Sequence, residues 1–414
     1  WKQLERAFRK MLHRIVGKGK TDLEFFLWHN LGIIYRDRQQ NYEAAAETFR
    51  MASRVKPQDQ TERQILAELF AMMPNRVEDA IAEHQYLLRE DPQRVDSYRA
   101  LYRLYFDSHQ HDKAWCLAAA LTFLNKADAE QKKFYDQYKP VGVNMTARLD
   151  NQRWVKDLFH PDESLYVGKL FEPISYGVLG AKAQNDKALH LLKKYEVDPN
   201  ASTVTFALTY KFVAQVLNLQ YVPRLFLRND QPGPFLHVPG SAPPAVVCFS
   251  SFLSGFTPMQ LGFVIGRHLS YYRGEHFIRT LVTSHTELKA ILLAGLNVAG
   301  ALPPTPETAP TAQVLQSRLT PAQLDPLRTI AKEFVKAEPN ADVKRWIQAV
   351  ELTACRTGFL FCNDLMIAAQ MIQSLPPETP VDLPPKEKIK ELVLFSVSEQ
   401  YFRLREFLGL RIRI

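Results

Sequence analysis

Hydrophobic residues recur at helical spacing along most of this chain, and β-rich runs are confined to one short stretch. Residues 1–16 form an amphipathic helical pattern whose apolar face carries Leu4, Phe8, Leu12 and Ile15. Three β-rich runs, at 223–227, 234–238 and 245–249, are separated by proline and glycine, as expected of a small sheet with turns. The pattern predicts a mainly α protein with one small β-sheet.

The first third of the chain contains an internal repeat. Its clearest copy has the spacing Trp-x-x-Leu-Gly-x-x-Tyr, followed by small and aromatic positions and a proline: Trp28, Leu31, Gly32, Tyr35, Ala45, Phe49, Ala52 and Pro57. A second copy contains Leu66, Ala67, Phe70, Ala80 and Pro92, and a third contains Tyr98, Leu101, Tyr105 and Ala114. This pattern resembles the tetratricopeptide repeat, whose period is about 34 residues. The resemblance implies stacked helix pairs over residues 1–126, with the helix at 1–16 left from a preceding repeat.

Tetratricopeptide arrays bind peptides on the concave face formed by the first helix of each pair, and the resemblance therefore implies a partner-binding face. The corresponding positions are Phe26, His29, Ile33, Arg36, Gln64, Glu68, Arg99, Arg103 and Phe106. The alternative is that this face packs against the rest of the chain.

The remainder of the chain divides into a polar linker at 127–160 and a second domain at 161–414. Within the second domain we predict a helix over 204–219 and an apolar helix that begins at Thr257 and Pro258, a good pair for a helix N-terminus. The proline-rich segment 301–310 is predicted to be an exposed loop, and 376–385 to be a link to one long amphipathic helix starting at 386.

Four segments of the second domain follow one another in an order typical of a known family. They are 234–240 (Pro-Phe-Leu-His-Val-Pro-Gly), 252–253 (Phe-Leu), the apolar helix at 261–266, and 351–358 (Glu-Leu-Thr-Ala-Cys-Arg-Thr-Gly). This order resembles the gluzincin metallopeptidases, which include the CAAX prenyl proteases and related bacterial membrane-quality-control proteases. The resemblance covers about residues 200–375 and implies an α+β metallopeptidase-like domain.

The zinc motif of that family is absent. The resemblance places Arg267 and Tyr271 at the two histidine ligands, His268 at the general base and Glu351 at the third ligand, with Cys355 in place of a supporting aspartate. Hydrolysis by zinc needs two neutral imidazoles at i and i+4 and a carboxylate base, and an arginine repels the metal. We therefore expect no catalysis, no bound metal and no cofactor, and we predict that Arg267 pairs with Glu351 in place of zinc.

A rearranged metal site is the alternative for the same helix. His268, Tyr272 and Glu275 share one helical face, and His276 follows. Together with Glu351 from the opposite helix, the two histidines and Glu275 would form a His/Glu cluster that supports hydrolysis.

Charge and cysteine content indicate which partner is disfavoured and which cellular compartment is expected. The formal net charge is +8, but residues 1–20 alone hold seven basic residues against one acidic residue. Since the excess charge lies on one helix, the sequence does not favour a nucleic-acid partner. The four cysteines, at 116, 248, 355 and 362, form no CxxC pair and are predicted to be free buried thiols of a reducing, cytoplasmic compartment.

The longest apolar run, at 290–302, is too short for a bilayer-spanning helix, which needs about 20 residues. Because the chain opens at Trp1 inside a helical pattern, we expect it to be part of a longer protein. The resulting hypothesis is a non-catalytic scaffold that binds a protein or peptide partner, as one component of a larger assembly. The competing hypothesis is a hydrolase with the rebuilt site.

Overall fold

The computed structural model describes residues 1–140, 142, 144–228, 234–249, 255–338 and 340–412. These residues form two compact units. The first contains Trp1–Lys139 with Ser396–Ser398 and Ile412, and the second contains Pro140–Phe395 and Glu399–Arg411.

The first unit is a series of eight helices, each packed on the next. They are α1 (Lys2–Ile15), α2 (Thr21–Ile33, continued by a π-helical turn at Ile34–Arg38), α3 (Tyr42–Val55), α4 (Thr61–Ala71), α5 (Val77–Glu90), α6 (Val95–Asp107), α7 (His111–Phe123) and α8 (Ala129–Tyr138).

Close packing in this unit depends on small residues opposite aromatic ones. A Cβ atom added at Gly32 of α2 would lie 2.7 Å from the ring of Phe49 on α3, so only glycine permits this approach. Leu27, Leu31 and Tyr35 are buried in the same cluster. The apolar positions quoted for the sequence repeat therefore form the core between successive helices.

The predicted linker at 127–160 differs from the structure. Asp128 and Gln131 form a capping box, in which each side chain accepts a hydrogen bond from a backbone N–H of the other residue, and α8 begins there. Helix α8 packs on α7 and belongs to the first unit. Residues 151–158 are also helical and belong to the second unit.

The second unit combines helices with one small sheet, which confirms the predicted mainly α fold class with a small β-sheet. Its helices are α9 (Asn151–Arg153), α10 (Leu165–Lys182), α11 (Thr205–Leu217), α12 (Pro258–Ser270), α13 (Ile278–Leu281), α14 (His285–Val298), α15 (Ala309–Arg318), α16 (Pro321–Ala337), α17 (Val343–Cys362), α18 (Leu365–Ser374), α19 (Pro385–Ser396) and α20 (Glu399–Leu408).

The sheet has the order β1-β2-β4-β3 within the described residues. Its strands are β1 (Glu196–Val197), β2 (Arg224–Arg228), β3 (Phe235–Val238) and β4 (Ala245–Phe249). Strands β2 and β4 are parallel, whereas β3 and β4 are antiparallel. Strand β4 is wholly apolar and buried, since it lies between two neighbours, and β3 lies at an edge. The three predicted strands are confirmed to within one residue, and β1 was not predicted.

Glycines set the distance between α12 and α17. A Cβ atom at Gly262 would lie 2.5 Å from the carbonyl oxygen of Phe361, and one at Gly358 would lie 2.5 Å from the carbonyl oxygen of Phe263. Any larger residue would force the two backbones apart. This contact brings the inner face of α12 next to Glu351 of α17.

Two predictions for the C-terminal third need correction. The single long helix expected from residue 386 is two helices, α19 and α20, separated at Val397 and Ser398. The segment 376–385 is more than a link, because Thr379 in it is buried and the side chain of Glu378 is only 2% exposed. No described helix has both the length and the apolar character needed to cross a membrane.

Candidate functional site

Helix α12 supplies side chains to two buried clusters. Thr257 and Gln260 form a capping box at its start, and Pro258 is its first residue, as the sequence predicted. Near its end, residues at i and i+4 share a face, so Arg267 and Tyr271 point to one cluster while His268 and Tyr272 point to the other.

The first cluster surrounds Glu351 and is called the Glu351 cluster. Arg267 Nη2 lies 2.6 Å from Glu351 Oε1, and Lys388 Nζ of α19 lies 2.5 Å from the same oxygen. The Tyr271 hydroxyl donates a hydrogen bond to Glu351 Oε2. The predicted ion pair between Arg267 and Glu351 is therefore present, and Lys388 adds a second cation that the sequence did not indicate.

The charges of this cluster keep its carboxylate ionised. Burial alone raises the pKa of the Glu351 carboxyl, but the charges of Arg267 and Lys388 outweigh burial and leave the pKa below its ordinary value. Burial raises the pKa of the Cys355 thiol to about 12, so this thiol is neutral beside Glu351. One carboxylate between a guanidinium and an ammonium group leaves a cluster with a net positive charge.

The second cluster surrounds Glu378 and is called the Glu378 cluster. Its members come from three elements: His237 on β3, His268 on α12 and Glu378 in the segment between α18 and α19. Glu378 Oε2 lies 2.5 Å from His268 Nδ1 and 3.3 Å from His237 Nε2. The Tyr272 hydroxyl lies 2.9 Å from His237 Nδ1.

Aromatic rings enclose this second cluster. The ring of Phe235 stacks on His268 with centroids 3.8 Å apart, and the two imidazoles stack on each other at 5.1 Å. Burial raises the pKa of the Glu378 carboxyl, yet the imidazoles of His268 and His237 reverse that shift, so its net pKa lies below the ordinary value. The Glu378 cluster thus holds an ionised carboxylate without any permanent cation of its own.

The rebuilt metal site proposed from sequence is not formed. His268 faces Glu378, Glu351 is held by Arg267 and Lys388, and Glu275 pairs with Arg273 at 2.8 Å. His276 Nε2 lies 2.6 Å from Glu163 Oε1 in a separate buried pair. Residues that follow one another on α12 and in the turn after it therefore have different partners, which the helical spacing alone did not reveal.

The predicted partner-binding residues of the first unit lie on α2, α4 and α6, the first helices of three successive pairs. Five of them are exposed: Phe26, Glu68, Arg99, Arg103 and Phe106. The other four are partly buried: His29, Ile33, Arg36 and Gln64. His29 Nδ1 lies 2.7 Å from the buried Glu62, so this residue has a structural role in the array.

Sequence reasoning missed three residues of the two clusters. Lys388 belongs to a charged helix start, where a buried lysine has no local signal. Glu378 lies in a proline-rich segment, which is typical of loops. His237 did carry a signal, because it alternates with exposed Leu236 and so shares the buried face of β3 with Phe235. The matched turn at 252–253 lies outside the described residues.

Comparison of the chain with protein-family models, with curated proteins and with solved structures finds no match.

Proposed function

We propose that this chain is a non-catalytic protein-binding protein, in which a tetratricopeptide-like array binds a partner and a peptidase-like unit without its zinc ligands serves as a scaffold. The observation that carries the proposal is the convergence of Arg267, Tyr271 and Glu351. The first two occupy i and i+4 of one helix, and the third comes from the facing helix. This is the arrangement in which the resembled peptidases hold zinc with two histidines and a glutamate.

The side chains at these positions oppose metal binding. Arg267 and Lys388 both lie within 2.6 Å of Glu351, so two basic side chains already compensate the carboxylate. A zinc ion there would have to displace both cations and would be repelled by them. Without the ion, no water is activated for attack on a peptide bond.

The partner-binding side of the proposal rests on the exposed residues of α2 and α6. Phe26 is 55% exposed and Phe106 is 39% exposed, which is unusual for large aromatic side chains. Arg99 and Arg103 lie on the same helix as Phe106. An extended peptide with apolar and acidic side chains has the complementary chemistry.

Restoring the zinc motif tests the peptidase-like part. The variant combines Arg267→His, His268→Glu, Tyr271→His and Lys388→Met in the full chain. It is expected to bind one equivalent of zinc by calorimetry, and adding Glu351→Gln is the control that removes this binding. A folded variant that binds no zinc would contradict the proposed relation of these positions to a zinc site.

The absence of catalysis is tested on the unmodified chain. Fluorogenic peptides and labelled casein, incubated with zinc, are expected to be cleaved no faster than with the Glu351→Gln variant. Turnover that depends on Glu351 would overturn the non-catalytic assignment.

Peptide display against the full chain tests the binding face. Selected peptides are expected to lose at least tenfold in affinity when Arg99→Glu and Arg103→Glu are combined, because like charges then meet the acidic peptide. The matched control is Arg54→Glu, an exposed arginine on the second helix α3. Equal losses in both variants would count against the assigned face.

A further inference from the structure

The Glu378 cluster is the one place in the described residues where three metal-binding side chains converge. His237, His268 and Glu378 each offer one ligand atom, and these atoms all lie within 4.8 Å of one another. His237 is 9% exposed, His268 is fully buried, and the Glu378 side chain is 2% exposed. Exposed acidic groups often lie close together without binding a metal ion. Two buried imidazoles with one buried carboxylate are a more specific sign of a metal site.

An independent observation concerns hydrogen bonding. Two buried atoms of this cluster have no hydrogen-bond partner of good geometry among the described residues: His237 Nε2, although it lies 3.3 Å from Glu378 Oε2, and Glu378 Oε1. Leaving a buried polar atom unpaired is costly, so these two atoms call for an additional bonding partner. Each of them can offer a lone pair, so one cation can satisfy both.

We propose that His237, His268 and Glu378 bind a divalent transition-metal ion, and that zinc suits this ligand set best. Two imidazole nitrogens and one carboxylate oxygen are a common zinc ligand set, whereas magnesium and calcium prefer all-oxygen sites. Three protein ligands leave the fourth tetrahedral position to a water molecule, and the burial of all three side chains separates the site from bulk solvent. The proposal is independent of the proposed function, since neither Glu351 nor the first unit takes part.

The spacing of the ligands is close to what zinc requires. Bonds of about 2.0–2.1 Å in tetrahedral geometry place ligand atoms roughly 3.4 Å apart. His237 Nε2 and Glu378 Oε2 are already 3.3 Å apart. His268 Nδ1 and Glu378 Oε2 are 2.5 Å apart, so the carboxylate has to turn away by about 1 Å. Glu378 lies in the segment between α18 and α19.

The surroundings orient the ligands. The Tyr272 hydroxyl lies 2.9 Å from His237 Nδ1, and a proton on Nδ1 donated to that hydroxyl leaves the Nε2 lone pair facing Glu378. Metal-binding histidines commonly donate their second ring N–H to a fixed acceptor in this way. The stacked ring of Phe235 holds His268 in its orientation.

The neighbouring Glu351 cluster limits the affinity. Arg267 directly precedes His268 in sequence, and it forms with Lys388 and Glu351 a cluster of net positive charge. This charge weakens the binding of a divalent ion nearby, so the metal is easily lost during purification with a chelator. The test therefore adds metal to the protein and measures the binding.

The experiment titrates zinc and, separately, cobalt into the full chain after removal of metal by a chelator. The expected result is one equivalent of zinc bound, a higher melting temperature, and the visible absorption of tetrahedral cobalt. His237→Gln and Glu378→Gln are expected to abolish all three effects. His276→Gln, which alters the other buried His–Glu pair, is the matched control and should keep them.

Two further measurements keep the result decisive. Because a ligand variant can fail to fold, X-ray absorption on the zinc-loaded wild type is expected to show nitrogen and oxygen ligands at about 2.0–2.1 Å and no sulfur. His109 and His111 have ring centroids 5.7 Å apart in the first unit, so a variant with both changed to glutamine removes surface binding as a source of signal. Binding that disappears in that variant, or no binding to the wild type, would overturn the proposal.

Discussion

The Glu351 and Glu378 clusters use neighbouring residues of one helix end to bury a carboxylate, but they compensate its charge in different ways. Glu351 faces Arg267, whose charge is permanent, and Lys388, whose Nζ contacts the same oxygen. Glu378 faces His268 and His237, whose charges depend on protons. A single step along the chain, from Arg267 to His268 or from Tyr271 to Tyr272, changes the cluster that a side chain joins.

This difference separates two properties of a buried carboxylate. One held by fixed cations is locked in its charged form and leaves no coordination position for a metal. One held by imidazoles can exchange a proton for a metal ion, because both ligand types accept either. Two clusters that share a helix can therefore differ in whether their carboxylate is able to bind a metal ion.

Removing each carboxylate is expected to give the largest effect. Glu351→Gln leaves Arg267 and Lys388 buried without an anion and should lower the free energy of unfolding by about 3–5 kcal/mol. Glu378→Gln should cost only about 1–3 kcal/mol, since the imidazoles can become neutral. Urea unfolding of both variants at neutral pH measures the two losses. The reverse order would refute the distinction between fixed and titratable partners.

Substitution at the helix contact tests how the Glu351 cluster is positioned. Gly262→Ala should lower the free energy of unfolding by about 1–3 kcal/mol, because the new Cβ atom meets the Phe361 carbonyl 2.5 Å away. Gly180→Ala in α10 is the control, since its nearest neighbour is 3.8 Å away and alanine favours a helix by up to about 1 kcal/mol. Thermal unfolding of both variants shows whether the close approach or the mere loss of glycine decides the outcome.

The two adjacent tyrosines allow the clusters to be perturbed separately. Tyr271→Phe removes a hydrogen bond to Glu351, and Tyr272→Phe removes one to His237, at a cost of about 0.5–1.5 kcal/mol each. Only Tyr272→Phe should weaken zinc binding, by about 10- to 100-fold, because it releases a proposed ligand from its orienting partner. Calorimetric titration that finds equal weakening in both variants would contradict the separation of the clusters.

A third buried carboxylate, Glu163, extends the comparison to a pair with one imidazole. Burial lowers the pKa of His276, but Glu163 outweighs burial, with Glu275 adding to the rise and Arg273 opposing it, so the net pKa is raised. A raised folded-state pKa stabilises the fold below the ordinary histidine value, about 6.5, and this stabilisation is lost as the pH rises through the folded-state pKa.

The stability difference between wild type and His276→Gln should therefore be larger at pH 6 than at pH 9. His160→Gln is the control, because the pH dependence should run the other way. Burial lowers the pKa of His160, so its contribution to the free energy of unfolding falls as the pH falls below about 6.5. Unfolding of both glutamine variants at the two pH values measures this, the smallest expected effect. A pH-independent difference for His276→Gln would contradict the assigned charge of the pair.

Much of the secondary structure followed from sequence because its causes are local. The apolar period predicted α12, and Thr257 with Pro258 predicted its start. Proline and glycine marked the limits of β2, β3 and β4. The prediction of a linker at 127–160 was wrong because a capping box at Asp128 starts a helix inside this polar segment.

Only part of the Glu351 cluster could be predicted from sequence in the same way, and the Glu378 cluster could not. Helical spacing and the peptidase resemblance predicted that Arg267, Tyr271 and Glu351 lie together, since the first two are four positions apart at the end of α12 and the third lies in the strongly periodic α17. The same reasoning placed His268 with Glu275, His276 and Glu351, which the structure does not support. The error arose because a shared helix face says which residues point together but not which distant segment covers them.

The sequence by itself determined most of the helices, three of the four described strands and the four-residue spacing of Arg267 and Tyr271, because periodicity and caps act over a few positions. Only the tertiary structure decided that Glu378, 110 residues from His268, completes the second cluster, and that Lys388 neutralises Glu351. A proline-rich segment has no regular spacing of apolar residues, so its sequence does not show which side chains are buried. The packing of α12, α17 and the sheet creates the buried position that its carboxylate fills.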